Sequence, residues 1–308
     1  GSSGEAEVAK KSANEIFNAF NTSIGTPILV RIIDKNWTAE FQGKDYVIDK
    51  NDFSFVSDQG KIAFKSVFNI IHGTPGEDGK LSGYFDLIGI PYNSSGVLAS
   101  SLTFNKNWCN RFLSTYGIAV PKSVVFYKEE NNFELYSELS FPCFVKPNNG
   151  GSSIGTHKVY DKEALEIALK DAFKHDKEVI VEEFIKGREF SVGIIKTSKE
   201  DLVMPLTEII VETDFFDYKQ KYSDNGATEI TPADIDPEMA KECQAIVKKV
   251  FKLLRLKRVA RIDFILQEGM FYLIEVNTIP GMSSKSILPQ QAKYAGTSFS
   301  GLIEKLGV

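Results

Sequence analysis

Two hydrophobic periods alternate along this 308-residue chain. In "EVAKKSANEIFNAF", near the start, apolar residues return every three to four positions, which predicts an amphipathic helix. The short apolar runs "PILVRII" and "SVFNIIHG", rich in β-branched residues, read as strands. An alternating α/β pattern thus covers residues 1–104 and ends in "GIPYNSSGVLASSLTF". From "NKNWCNRFLSTYGIAVP" a helix leads to strands at "VVFY", "PCFVKP" and "THKVY", the helix "KEALEIALKDAF" and the strand "EVIVEEF". This second region, 105–182, has the order of a small α+β module. The third region, 183–308, holds the strand "REFSVGII", a long loop "ETDFFDYKQKYSDNGATEITPA" and the helix "PEMAKECQAIVKKVFKLLRL". Paired strands "VARIDFIL" and "MFYLIEVN" and the short helix "SFSGLIEKL" complete it.

Composition narrows the function more than the fold. Hydrophobic residues make up 43% of the chain, enough for one large domain or two to three smaller ones. With 36 basic against 41 acidic residues the net charge is -5, so neither nucleic acid nor an anionic membrane is an expected partner. Small-molecule chemistry is favoured instead. Cys109, Cys143 and Cys243 are far apart and lack CxxC spacing, so they read as buried thiols rather than disulfides or zinc ligands. No apolar run approaches the ~18 residues that a spanning helix needs, and no leader pattern opens the chain. A cytoplasmic location is the expectation.

Candidate chemistry gathers on the later strands. In "FYLIEVNTIPG" Glu275 and Asn277 stand two apart on a strand, which puts both side chains on one face. The turn "QEGM" predicts an antiparallel hairpin with "ARIDFIL", bringing Asp263 opposite them. Three hard oxygen donors without histidine or cysteine suit Mg²⁺, whose usual place beside few carboxylates is on nucleotide phosphates. Arg261 shares that face and could stabilise an oxyanion near the metal. A polar strand face turned to water is the competing reading.

A second candidate is "FVKPNNGGSSIGTHKV". A P-loop requires strand, GxxxxGK[ST] and helix in that order, but here Lys146 precedes the glycines and a second strand follows them. A glycine-serine hairpin can still offer backbone N–H groups and hydroxyls to phosphate, with Lys146 beneath it as a mobile flap's cation. Taken alone, it could equally be a turn.

Taken together, "SGEAEV" with a following "SA", "HGTPGEDG", "GIPYNSSGVLASSLTFNK", "FVKPNNGGSSIG", "VEEFIKGREFSVG", "FFDYKQKY", "EITPA", "RIDF" and "EVNTIPGMSSKSILP" resemble the D-alanine-D-alanine ligase family of the ATP-grasp superfamily, in order and over almost the whole chain. The resemblance implies a three-domain ATP-grasp fold of α/β and α+β regions. These are a Rossmann-like substrate-binding domain at 1–104, a small central domain with the flap at 105–182, and a larger α+β domain with the metal site and specificity loop at 183–308. It implies ATP-dependent ligation of two D-alanines through a D-alanyl phosphate, for peptidoglycan precursor synthesis, with two Mg²⁺ ions for which Mn²⁺ could substitute. A homodimer is the state that the family suggests.

The resemblance also assigns roles by motif position. Glu5 would hold the first substrate's ammonium, with His72 lining the same pocket. Lys106 and Lys146 would meet the nucleotide phosphates, and Ser152 and Ser153 would be the flap serines. Glu182 and Ile185 would read adenine beside Phe184, which stands where some members have tryptophan, and Glu189 would contact the ribose. Arg261 and the N–H of Gly281 would hold the oxyanion of the tetrahedral intermediate, and Asp263, Glu275 and Asn277 the metal. Ser286 would anchor the second substrate's carboxylate, beside Ile287. Lys221 and Tyr222 of "FFDYKQKY" would close over that substrate, with the Tyr222 hydroxyl meeting Ser152 and Glu5. Tyrosine there is the pattern for the dipeptide rather than the D-lactate ester, while D-serine stays open.

The sequence departs from the family in a few places. Ala9 replaces a usual serine, and Lys285 a histidine found in some members. The family opens with a strand before its first glycine motif, whereas this sequence starts at Gly1 inside the motif. The expectation is that either this strand is absent from the sequence as given or "GSSG" is in part foreign to it. A non-catalytic ATP-binding module is the third reading. Against it, the phosphate lysines, Arg261 and all three metal ligands are present.

Overall fold

The computed structural model describes residues 1, 3–130, 140–151, 153–211 and 227–307. Helix α1 (Ala6–Ala19) buries Ala9, Ser12 and Ile16, a stripe with helical spacing. Strands β1 (Leu29–Ile33), β2 (Asn36–Phe41) and β3 (Lys44–Val47) form an antiparallel meander, and β4 (Ser54–Ser57) pairs with β5 (Gly60–Ala63). Helix α2 (Lys80–Ile88) supplies Leu81 and Phe85 to the core they share with Phe53 and Phe55. The segment "SVFNIIHG" is extended but joins no ladder among the described residues. It has only a parallel bridge from Val67 to Tyr92. Side chains take the place of a neighbouring strand: Asn69 N–H donates to Asn93 Oδ1 at 2.6 Å and Ile71 N–H to Asn69 Oδ1 at 3.1 Å.

After α3 (Val97–Phe104) and α4 (Lys106–Ser114) come β6 (Ser123–Tyr127), β7 (Cys143–Pro147), β8 (His157–Val159), α5 (Lys162–Ala172) and β9 (Glu178–Glu183). The four strands form an antiparallel sheet in the order β6-β9-β7-β8. Asp161 caps α5, accepting from Ala164 N–H at 2.8 Å. The Leu165, Ala168, Leu169, Ala172 stripe of that helix packs on the sheet.

A larger antiparallel sheet follows. It contains β10 (Arg188–Lys196), β11 (Asp201–Val203), β12 (Thr207–Ile210), β13 (Thr228–Ile230), β14 (Val259–Gln267) and β15 (Met270–Asn277). Their order is β13-β12-β10-β14-β15, with β11 also on β10. Helix α6 (Pro237–Leu253) is capped by Asp236 and lays Cys243, Val247, Val250 and Phe251 against this sheet. Cys109 and Leu113 of α4 enter the same core. Helices α7 (Ile287–Tyr294) and α8 (Phe299–Leu306) share a further core with Ile16 of α1. All three cysteines are buried and free, and burial raises their thiols to about 12, 11 and 12 in chain order. Among the described residues no helix is long and apolar enough to cross a membrane.

Candidate active site

The β14–β15 hairpin is built by its turn. Glu268 and Gly269 both have positive φ (48° and 82°), the left-handed pair that a two-residue hairpin requires, and glycine takes the second place without strain. Pairing from Gln267–Met270 then runs inward until a bulge at Asp263/Phe264 shifts the register. As a result Asp263 lies opposite Glu275 and Arg261 opposite Asn277. A bulge of this kind re-aims side chains at the end of a ladder.

Asp263 is the hub of that face. Its Oδ1 accepts from Arg261 Nε at 3.0 Å and from Ser191 Oγ at 2.6 Å, and its Oδ2 from Arg261 Nη2 at 2.8 Å and Asn277 Nδ2 at 3.0 Å. Glu275 Oε1 lies 3.9 Å from the same guanidinium. Loss of solvent works against the Arg261 charge, yet Asp263, then Glu275 and Glu77, hold its pKa above the ordinary value. Among the described residues no three His, Cys, Asp or Glu side chains form a ready cage. Two carboxylates and an amide oxygen do fit a hard cation that keeps most of its shell as water and phosphate.

These strands form one wall of a cleft of about 1310 Å³, and the β7–β8 loop and the start of α4 form the other. Glu5, Lys106, Lys146, Ser153, Glu182, Phe184, Ile185, Glu189, Asp263 and Glu275 all line it. Lys146 Nζ sits 2.6 Å from Glu182 Oε2, and Asn110 Nδ2 donates to the other oxygen at 3.4 Å. Lys106 Nζ donates to the carbonyl of Gly150 in the flap. Burial lowers the Lys106 pKa, with Glu275 opposing and Lys146 adding to the effect. The Phe184 ring stacks at a tilt 5.8 Å from Phe144 and lies 3.8 Å beneath the Lys158 ammonium. Ser153 has a left-handed φ of 56° at the flap turn.

Glu5 lines the cleft from the first part of the chain, and the remaining sequence candidates lie near it. Glu5 stands at the N-terminus of α1, close enough to the flap that a Cβ on Gly151 would lie 3.0 Å from its carboxylate. His72 is buried, its Nε2 has no partner among the described residues, and burial, then the Arg261 charge, depress its pKa to about 4. It is therefore neutral near pH 7. Gly281 approaches Ser286 so closely that a Cβ would come within 2.9 Å of the hydroxyl. Ser286 caps nothing with its side chain but meets Ser283 Oγ at 2.8 Å, and Ile287 begins α7. From α1, Ser12 Oγ accepts from Met282 N–H at 3.4 Å and Glu15 from Ser284 N–H. Ala9 lies buried on the same helix. Ser152, Lys221 and Tyr222 fall outside the described residues.

Comparison with known proteins adds a second line. A family model described as "D-ala D-ala ligase N-terminus" matches residues 1–95, and "D-ala D-ala ligase C-terminus" matches 112–307. The chain belongs to the D-Ala D-Ala ligase family. A relative in this family, the D-alanine--D-alanine ligase of Flavobacterium johnsoniae, is 40% identical over 305 residues, covering 98% of this chain and 94% of that protein. Among solved structures, the VanG D-Ala:D-Ser ligase from Enterococcus faecalis is 34% identical with a TM-score of 0.88, covering 99% of this chain and 95% of that one. The D-alanine--D-alanine ligase from Bacillus anthracis complexed with ATP is 28% identical with a TM-score of 0.78, over 99% and 93% of the two chains. The mixed α/β architecture is thus that of the ATP-grasp ligases.

Within the D-Ala D-Ala ligase motifs the structure adds residues that sequence reading passed over. Glu77, in "HGTPGEDG", accepts from Gly73 N–H at 2.7 Å and is raised to about 8 by burial, then by the charge of Glu5. Ser191, fully buried on β10, faces Asp263 across the ladder. Its signal was a hydroxyl inside an otherwise apolar strand. Asn148, at the base of the flap, is also fully buried.

Proposed function

We propose that this chain joins two D-alanines to D-alanyl-D-alanine with ATP as the energy source, acting in the cytoplasm as a homodimer. The observation that carries the reading is the cleft itself. Lys106 and Lys146 line it together with Asp263 and Glu275, so cations and metal-type carboxylates confront the same space. Membership of the D-Ala D-Ala ligase family supports the choice of substrates.

The first D-alanine rests its ammonium on Glu5, and a carboxylate oxygen attacks the γ-phosphorus as the bond to ADP breaks. Lys106 and Lys146 offset the charge of the phosphate oxygens, which would otherwise repel that carboxylate. When bound, Mg²⁺ would be held by Asp263, Glu275 and Asn277, as two ions in our reading with Mn²⁺ as a substitute, and would neutralise phosphate charge. The neutral amine of the second D-alanine then attacks the acyl carbon. Arg261 and the Gly281 N–H hold the resulting oxyanion, phosphate leaves with the oxygen it gained and takes up the proton that the attacking nitrogen sheds, and the amide remains. The buried His72 Nε2 would find its missing partner in substrate. The β7–β8 flap keeps water from the acyl phosphate.

A D-serine second substrate is the alternative, favoured by the similarity to the D-Ala:D-Ser ligase. Phosphate release and product mass with Mg-ATP and a panel of D- and L-amino acids plus D-lactate separate the two. D-Ala-D-Ala from D-alanine alone is expected. Turnover only when D-serine is present with D-alanine would establish the alternative, and no turnover with D-alanine in any combination of the panel would refute the ligase reading.

A further inference from the structure

The base of the flap is welded to the helix that carries a phosphate lysine, through one buried side chain. Asn148 engages all four of its polar groups. Its backbone N–H donates to the Glu178 carbonyl at 2.9 Å and its carbonyl accepts from Lys106 N–H at 3.1 Å. The side-chain Oδ1 accepts from Asn107 N–H at 2.9 Å, and Nδ2 donates to Glu178 Oε2 at 2.6 Å. Asn105 Nδ2 reaches the same carboxylate oxygen at 3.4 Å.

Two of these bonds cap the exposed N–H groups at the start of α4, the backbone of Lys106 and Asn107. That end of the helix has no earlier carbonyls of its own to serve them. The place of Lys106 in the cleft is therefore fixed by the flap's root, and Glu178 fixes the root to β9. Beyond it, Asn149 is held separately, its N–H and Nδ2 on Asp176 Oδ2 at 2.7 and 2.9 Å. Further along, Lys106 Nζ closes the loop on Gly150.

We infer that Asn148, oriented by Glu178, is a positioning residue that holds Lys106 and the flap in register over the nucleotide's phosphates. Neither residue needs to touch the nucleotide. The inference rests on the ATP reading above, and it predicts a loss confined to the phosphate end of the ligand. A buried hydrogen bond to a charged group is worth enough for its loss to shift affinity roughly tenfold.

The test compares binding of ATP and of adenosine, which has no phosphates, by calorimetry on the full chain. Asn148→Ala and Glu178→Ala are each expected to weaken ATP roughly tenfold while adenosine changes less than about twofold. Asn148→Asp alone sets two carboxylates together and should be worse. The exchange Asn148→Asp with Glu178→Gln restores a donor facing an acceptor and should recover most of the ATP affinity. Should Asn148→Ala fail to fold, Glu178→Ala and the exchanged pair carry the test. Equal losses for ATP and adenosine, unchanged ATP binding, or an exchange no better than Asn148→Asp would each overturn the inference. A parent protein that binds adenosine and ATP equally would instead refute the ATP reading, and the inference with it.

Discussion

Glu77 shows how much a single carboxyl gains or loses from its surroundings. Desolvation and the nearby charge of Glu5 lift it from 4.5 to about 8. Between those values the folded chain holds a proton that the unfolded chain has released, so this group's contribution is full below about 4.5 and is lost as pH rises toward 8. Glu77→Gln carries no charge at any pH. Its stability relative to the parent, from urea unfolding at pH 5 and pH 8.5, should therefore move in the variant's favour at the higher pH. A difference that does not change with pH would contradict this environment. On the metal face, Glu275→Ala removes one of two carboxylates and should lower kcat by on the order of a thousandfold. Its melting temperature should stay close to the parent's, because the side chain is only partly buried. Near-normal turnover would refute the metal assignment.

At the scale of elements, the turn of the β14–β15 hairpin sets where Asp263 meets Glu275. Gly269→Ala forces a Cβ into a left-handed φ of 82° and should cost about 1 kcal/mol, measured by denaturant unfolding. A stabilised variant would contradict the turn geometry. This hairpin was legible in the sequence because the two-residue spacing of Arg261 with Asp263 and of Glu275 with Asn277 gives the face and "QEGM" gives the connection. The helix stripes of α5 and α6 were legible for the same reason, their period being written in Leu165, Ala168, Leu169 and in Cys243, Val247, Val250. The strands β2 to β5 were not. They are four to six residues long and mix polar with apolar residues, and their partners gather round the aromatic core of Phe53, Phe55 and Phe85. "SVFNIIHG" misled for the opposite reason. Its apolar run has strand composition, but beyond the single bridge at Val67 the N–H groups of Asn69 and Ile71 donate to the Asn93 and Asn69 side chains. Polar residues whose partners lie far along the chain, such as Asn148 with Glu178, carry no local pattern that a sequence reading could detect, and the hydroxyl of Ser191 among apolar neighbours signals burial without naming Asp263 as its partner.

For the whole molecule, three separated stretches have to converge before any chemistry is possible. The N-cap of helix α1 brings Glu5, the first part of the chain also brings His72 and Glu77, helix α4 brings Lys106 and the central sheet Lys146, and the large sheet brings Arg261, Asp263 and Glu275. Their convergence is held by long-range contacts such as Ser12 with Met282 and Lys106 with Asn148. The central claim is that a carboxylate oxygen passes to phosphorus before the amide forms. The direct measurement supplies D-alanine labelled with ¹⁸O in both carboxylate oxygens, together with Mg-ATP, and determines the mass of the released phosphate. The proposed path predicts D-alanyl-D-alanine and phosphate carrying one ¹⁸O per dipeptide formed. Dipeptide accompanied by unlabelled phosphate, or labelled D-alanine left unreacted while ATP is consumed, would contradict it.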